Sequence, residues 1–396
     1  MSRDESRLSQ LGESSARRSQ FGPVTVVASL FVATLAVNLQ VPLYAAYADT
    51  AAHRQGAISL AFASYVAGLL LVLVLFGGVA DRLGSKRALL LGLACAFAAH
   101  SVIIWEPTIR GLLRTRVLQG GSIALSLAAG TAYLVELGTN PRRAARLSSG
   151  AVTLGLGSGG PLTSAFLAQR RSLVPGSYFA VALATFACWC AVAFLQASRV
   201  DRKAPFIRIP HISKQTFPFG IALFLSWSLT GIILATVPAQ LSLMGQGRWS
   251  GAIVFAAIAV GALVQLGAEV QEPRRFLLMG YVLGAAAMVL LIAGVHLHSA
   301  ALLFIAAICS GFGSFGFTYL GGLTGTLLAC RVERGRALSG YYLLGYLGFG
   351  LPCVAVGYVS EAWGLAYALG AYSLAVAIAV ASWRAIRATF WRHAST

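Results

Sequence analysis

Gly77-Gly78-Val79-Ala80-Asp81-Arg82-Leu83-Gly84-Ser85-Lys86-Arg87 sets one acid and three bases between two apolar runs, 57–80 and 86–105. Each run has about the 20 residues that carry an α-helix across a ~30 Å hydrocarbon core. Ionised side chains are expensive in hydrocarbon, so a turn holding four of them must lie at a membrane surface. Read this way, the stretch is a loop between two membrane helices, and the chain is an all-α polytopic membrane protein.

The rest of the sequence agrees with that class. The chain is 58% hydrophobic and 11% charged, with a mean hydropathy of +0.77. A soluble domain carries about 25% charged residues, so the bilayer must be the solvent for most of this surface. The 43 glycines suit close approach of membrane helices. Further apolar runs fall at 22–45, 109–137, 147–168, 176–197, 217–240, 251–271, 275–295, 299–329, 337–359 and 363–383. Twelve spans place both termini on one side.

The net charge of +18 is explained by topology and not by nucleic acid. Lys and Arg crowd the side that carries the termini, in the tails, the 81–87 turn, the 142–146 turn, the central loop, residues 274–275 and the 331–336 turn. The opposite side holds only Arg54, Arg110, Arg114, Arg170, Arg171 and Arg248, with Arg116 inside a span. The positive-inside rule then assigns both ends to the cytoplasm of a cell (inner or plasma) membrane, with anionic lipid headgroups as partners of the basic turns. Residues 1–20 are polar without an apolar core, so they read as a disordered cytoplasmic tail and not a signal peptide. The six cysteines lie within spans or at their ends, where packing accounts for them.

A constant shift brings Arg146 onto Arg336, Ser149 onto Ser339, Gly150 onto Gly340, Gly155 onto Gly345 and Gly160 onto Gly350. The same shift puts Gly77 on Gly267 and Gly121 on Gly311. It equals about half the chain, so the expected organisation is two parallel six-helix bundles, 21–197 and 217–387. A cytoplasmic loop, 198–216, joins them and a tail, 388–396, ends the chain.

The G-x-x-x-D-R-x-G-x-[KR] spacing of the opening stretch resembles the loop between the second and third helices of major facilitator superfamily transporters. In the fourth span, Arg116-Val117-Leu118-Gln119-Gly120 resembles the family's R-x-x-Q-G pattern. Asn38-Leu39-Gln40-Val41-Pro42-Leu43-Tyr44 resembles the N-x-x-x-P-L-Y segment of its drug and sugar efflux members. The Gly155–Pro161 segment is loosely similar to the fifth-helix motif of antiporters, with Ser164 in place of the final Gly. The opening stretch departs from the family in Val79 for Leu and in Ser85 for a basic residue. Its second-half counterpart, Gly267–Arg275, is degenerate.

The resemblance implies a secondary transporter in which Gly77, Asp81, Arg82, Gly84, Lys86 and Arg87 form a gating motif. In it, Asp81 and Arg82 would latch the two halves in the outward-open state. It also implies a substrate cavity lined by spans one, four, seven and ten. The candidates there are Asn38, Gln40, Tyr44, Arg116, Gln119, Trp227, Thr230, Phe315 and Tyr319. Each has a plainer alternative. Arg116 can snorkel to the outer interface, the amides can bond a neighbouring helix, and the aromatics can pack or face lipid.

No Asp or Glu lies in mid-span, so a proton is a candidate coupling ion without an assigned carrier. Glu136 and Glu269 read as members of interfacial charge clusters, and His100 as a hydrogen-bonded structural residue. Metal-ligand clusters, phosphate loops and nucleophile–base pairs cannot be picked out, so neither an enzyme nor a cofactor is expected. The expectation is a monomeric exporter of a small amphipathic or drug-like molecule. Organic-anion or nutrient uptake, with Arg116 as counter-charge, and a non-transporting sensor or assembly partner stand as alternatives.

Overall fold

The computed structural model describes residues 21–49, 54–75, 82–169, 172–198, 200, 210–330 and 334–378. Among them are twelve helical segments and no strand. They are α1 Phe21–Tyr47, α2 Arg54–Leu75, α3 Ser85–Trp105, α4 Ile109–Glu136, α5 Pro141–Gln169 and α6 Gly176–Ala193. The second set is α7 Phe217–Leu243, α8 Gly247–Gly267, α9 Pro273–His296, α10 Ala300–Ala329, α11 Arg334–Trp363 and α12 Leu365–Ile378. They follow the twelve apolar runs in order. Ten are long and apolar enough to cross a membrane. The exceptions are α5, diluted by Gly, Ser and Arg, and the shorter α12.

One boundary differs in an instructive way. The 142–146 stretch, expected as a turn, is the first part of α5. Pro141 suits a helix start because its missing N–H needs no partner there, and Ala144 N closes the first turn on Asn140 O at 2.8 Å. Arg143 and Arg146 are exposed from helix rather than from loop.

The two faces of the molecule are set by the connections. The terminal face carries the start of α1 and the turns before α3, α5, α7, α9 and α11; the distal face carries the others. Trp105, Trp249, Trp363 and Tyr367 are exposed at distal helix ends, the place where amphipathic rings settle at a membrane–water interface.

The sequence repeat reappears as packing. A Cβ on Gly155 of α5 would meet Thr34 Oγ1 of α1 at 2.1 Å, and one on its counterpart Gly345 of α11 would meet Leu223 Cδ2 of α7 at 2.4 Å. Gly160 of α5 sits against Val254 of α8, and its counterpart Gly350 of α11 against Val66 of α2. Each glycine thus holds the same helix pair in both halves, and the second pair forms the contacts between halves. α2 packs on α11 and α5 on α8, joining the halves along two related seams.

Candidate functional site

α1 does not run through the membrane as one α-helix. Proline lacks an N–H and its ring opposes the carbonyl four residues back. Around Pro42 the chain adopts two 3-10 pieces, Ala36–Asn38 and Val41–Leu43, before an α-helical turn at Tyr44–Tyr47. Carbonyls freed at this depth need donors, since water is absent. α4 provides them: Gln119 Nε2 donates to Ala36 O at 2.8 Å, and Arg116 Nη1 donates to Val37 O. Gln119 Nε2 also reaches Gln40 Oε1 at 3.3 Å, and Asn38 Nδ2 donates to Leu156 O of α5 at 2.7 Å. The Asn, Gln and Arg signals of the sequence therefore converge on one broken helix.

Arg116 is fully buried, its guanidinium turned into the bundle and not toward the interface. Nη1 also contacts Gln119 Oε1 at 3.3 Å. The rings of Tyr44, Phe62 and Tyr65 lie 5.2, 5.6 and 5.8 Å from its central carbon. Such contacts contribute about 2 kcal/mol when desolvated. An ion this deep costs at least ~2.5–3.5 kcal/mol even on insertion scales, and the rings and the α1 carbonyl are what offset it. Nε and Nη2 have no hydrogen-bond partner among the described residues.

Arg116, Asn38 and Val37 line a central cavity with Phe62 and Tyr65 of α2 and Leu156 of α5. The other half contributes Trp227 of α7, Ile258 of α8, Phe315 of α10 and Tyr346 and Phe349 of α11. Trp227 stacks on Phe315 at 5.4 Å and Tyr319 at 6.4 Å, and meets Tyr346 and Phe349 edge-on at 5.0 and 5.9 Å. The space left is about 20 Å³, room for one water. Among the described residues, Trp227 Nε1 and two nitrogens of Arg116 on its lining have no hydrogen-bond partner, nor do Tyr44 Oη and Gln40 Nε2 behind Arg116.

Four of the candidates, Asn38, Arg116, Trp227 and Phe315, line the cavity together. Gln40, Tyr44 and Gln119 lie behind Arg116 as its support. Tyr319 stacks on Trp227 and pairs its hydroxyl with that of Tyr342 at 3.0 Å. Thr230 is spent on helix packing, at 2.9 Å from both Ser310 and Ser314 of α10. The lining from α2, α5, α8 and α11 escaped the sequence, where only spans one, four, seven and ten drew attention. The glycines at 160 and 350 were the available signal, since they mark the seams those four helices make.

Polar links join the halves toward both faces. On the terminal side, Gln265 of α8 accepts from Ser149 at 2.5 Å and Thr153 at 3.2 Å, both on α5. Its Nε2 donates to Phe315 O at 2.8 Å. That carbonyl lies in a π-helical segment of α10, Phe312–Thr318, whose wider turns loosen the regular bonding. On the distal side, Gly56 N at the start of α2 donates to Glu361 Oε2 of α11 at 3.0 Å, and Gln55 Nε2 to Ala235 O of α7 at 3.4 Å.

Of the gating motif, Gly77 and Asp81 lie outside the described residues. Arg82 is half-buried. Gly84 precedes α3 with φ +89°, a backbone state in which any Cβ is strained. Ser85 Oγ donates to Glu136 Oε1 at 2.7 Å, tying α3 to the end of α4. Lys86 Nζ donates to Ala193 O at 2.8 Å and to Leu195 O, capping α6 in its own half. Arg87 is exposed. His100 is buried, with Nδ1 at 2.7 Å from Ala96 O.

The sequence pattern of the Major Facilitator Superfamily matches residues 26–351. No curated protein matches the chain in sequence. Among solved structures, the fold is similar to the nucleoside transporter NupG (TM-score 0.69, 13% identity, covering 91% of this chain and 99% of that one). It is also similar to the human organic anion transporter MFSD10 (0.57, 15%, 90% and 97%). A D-xylose–proton symporter is a third (0.61, 13%, 90% and 96%). With a family match over most of its length and a fold to suit, the chain belongs to the major facilitator superfamily and is a multi-pass membrane transporter, not an enzyme.

Proposed function

We propose that this protein is a secondary transporter exporting a small amphipathic molecule through the central cavity by alternating access. The observation that supports this reading is a cavity built from both halves, mostly aromatic, with few polar groups. Small-molecule sites are apolar with a few placed polar groups and span about 300–1,000 Å³. A cavity with room for one water must therefore widen to load, and rocking of the halves about the two seams is the available motion. The distal links at Gly56 and Gln55, and the terminal link at Gln265, are the contacts that alternate.

In this reading both termini are cytoplasmic, the membrane is the cell membrane, and the protein works as a monomer with a proton as candidate coupling ion. Asp81 and Arg82 belong to a terminal-face latch. The test is flux of a fluorescent amphipath in inverted vesicles, with and without a pH gradient. Accumulation driven by the gradient is expected. Flux only in right-side-out vesicles would instead favour organic-anion uptake, the second reading, which the unpartnered nitrogens of Arg116 support.

A further inference from the structure

We propose that the cavity recognises a flat aromatic monoanion, whose carboxylate binds the Nε–Nη2 edge of Arg116 while its ring enters the Trp227 cluster. This rests on the reading that the central cavity is the substrate site.

The two donors of Arg116 without a partner are not an arbitrary pair. Nη1 is committed to Val37 O and Gln119 Oε1. Nε and Nη2 are the two left over, and they share one edge of the planar guanidinium. That edge presents two parallel N–H bonds, the fork that matches the two oxygens of a carboxylate.

Among the described residues no carboxylate pairs with this charge: its neighbours are the rings of Tyr44, Phe62 and Tyr65 and the side chains of Tyr178 and Cys353. A buried, uncompensated charge is the state that a buried ion pair exists to avoid. A ligand bringing one negative charge completes the pair; a neutral or cationic one leaves it open. The remainder of the lining sets the body of the ligand. Trp227, Phe315, Phe349 and Phe62 offer ring faces and edges, with Trp227 Nε1 as a further unpartnered donor. Arg116 and Trp227 belong to opposite halves, so a ligand held by both ties closure of the halves to its own presence.

The test uses the purified full-length protein in nanodiscs and three isosteric probes: 2-naphthoate, 2-naphthamide and 2-naphthylmethylamine. Binding is read by tryptophan fluorescence and thermal shift. The expected result is naphthoate binding at least tenfold tighter than the amide, with the amine weakest. Arg116→Lys, which keeps the charge but loses the fork, should reduce the naphthoate preference about tenfold. If that variant does not fold, the wild-type comparison of the three probes decides alone. Equal or tighter binding of the amide or amine, lost in Trp227→Ala, overturns the anion while leaving the cavity as the substrate site. Failure of all three probes to bind overturns the inference together with the reading beneath it.

Discussion

Arg116 carries two duties that a single substitution separates. It satisfies a backbone carbonyl of α1, and in the proposed complex its Nε–Nη2 edge receives the ligand carboxylate. Arg116→Ala removes both, and a charged hydrogen bond contributes about 1.5–3 kcal/mol. Transport in proteoliposomes should fall by about ten- to a hundredfold on that scale, with an unchanged rate restoring the case for a merely structural arginine. Asp81→Asn is the complementary change, in the proposed latch. It should slow transport while leaving the amount of protein in the membrane unaltered, and normal flux would remove Asp81 from the gate. Lys86 behaves differently from a latch residue, since its ammonium is held by α6 carbonyls in its own half. Its charge was plain in the sequence. Its partners were not, because a capping contact between residues far apart leaves no local pattern.

At the level of elements, the two irregular helices on the cavity differ in how they announce themselves. The break in α1 was readable from Pro42, because a missing N–H has a local consequence whatever the surroundings. The π-helical segment of α10 has no proline, and its glycines at 311, 313 and 316 read equally well as packing residues. It is held from outside, by Gln265 on Phe315 O. Gln265→Leu is close in size but strands that carbonyl and the Ser149 and Thr153 hydroxyls. An unsatisfied buried group costs about 1–3 kcal/mol, so a fall in thermal midpoint of several degrees is expected. Gln265→Glu keeps the acceptor for Ser149 and Thr153 but loses the donor to Phe315. If it weakens probe binding as much as Gln265→Leu does, the link to α10 matters to the site; if it binds like wild type, that link is only structural.

For the whole molecule, the repeat makes the two-bundle architecture legible in the sequence, since equivalent glycines recur at one offset. What the repeat could not show is which helices face each other across the halves, because intra-half and inter-half glycine contacts look alike in sequence. The distal closure is tight enough to test by overpacking. A Cβ at Gly357 of α11 would lie 2.1 Å from Ser59 Oγ and 2.5 Å from Ser59 Cβ of α2. Gly357→Val must push these helices apart, and overpacking costs about 1–3 kcal/mol. Each 1.4 kcal/mol is roughly tenfold in population. A cysteine introduced at Gln55 should then react with a membrane-impermeant maleimide about tenfold faster or more. Unchanged labelling would mean that the seam yields by local adjustment and does not open.

The lone charge of Arg116 also has an electrical consequence. Under the proposed alternating access, the aqueous path would shorten on one face as it lengthens on the other, and the fixed charge would cross part of the membrane field without travelling far itself. A full crossing corresponds to about 2.3 kcal/mol per 100 mV. Loaded with the proposed monoanion, the site would be neutral and that step indifferent to voltage. Empty, it would be cationic, and the return step alone would sense the membrane potential.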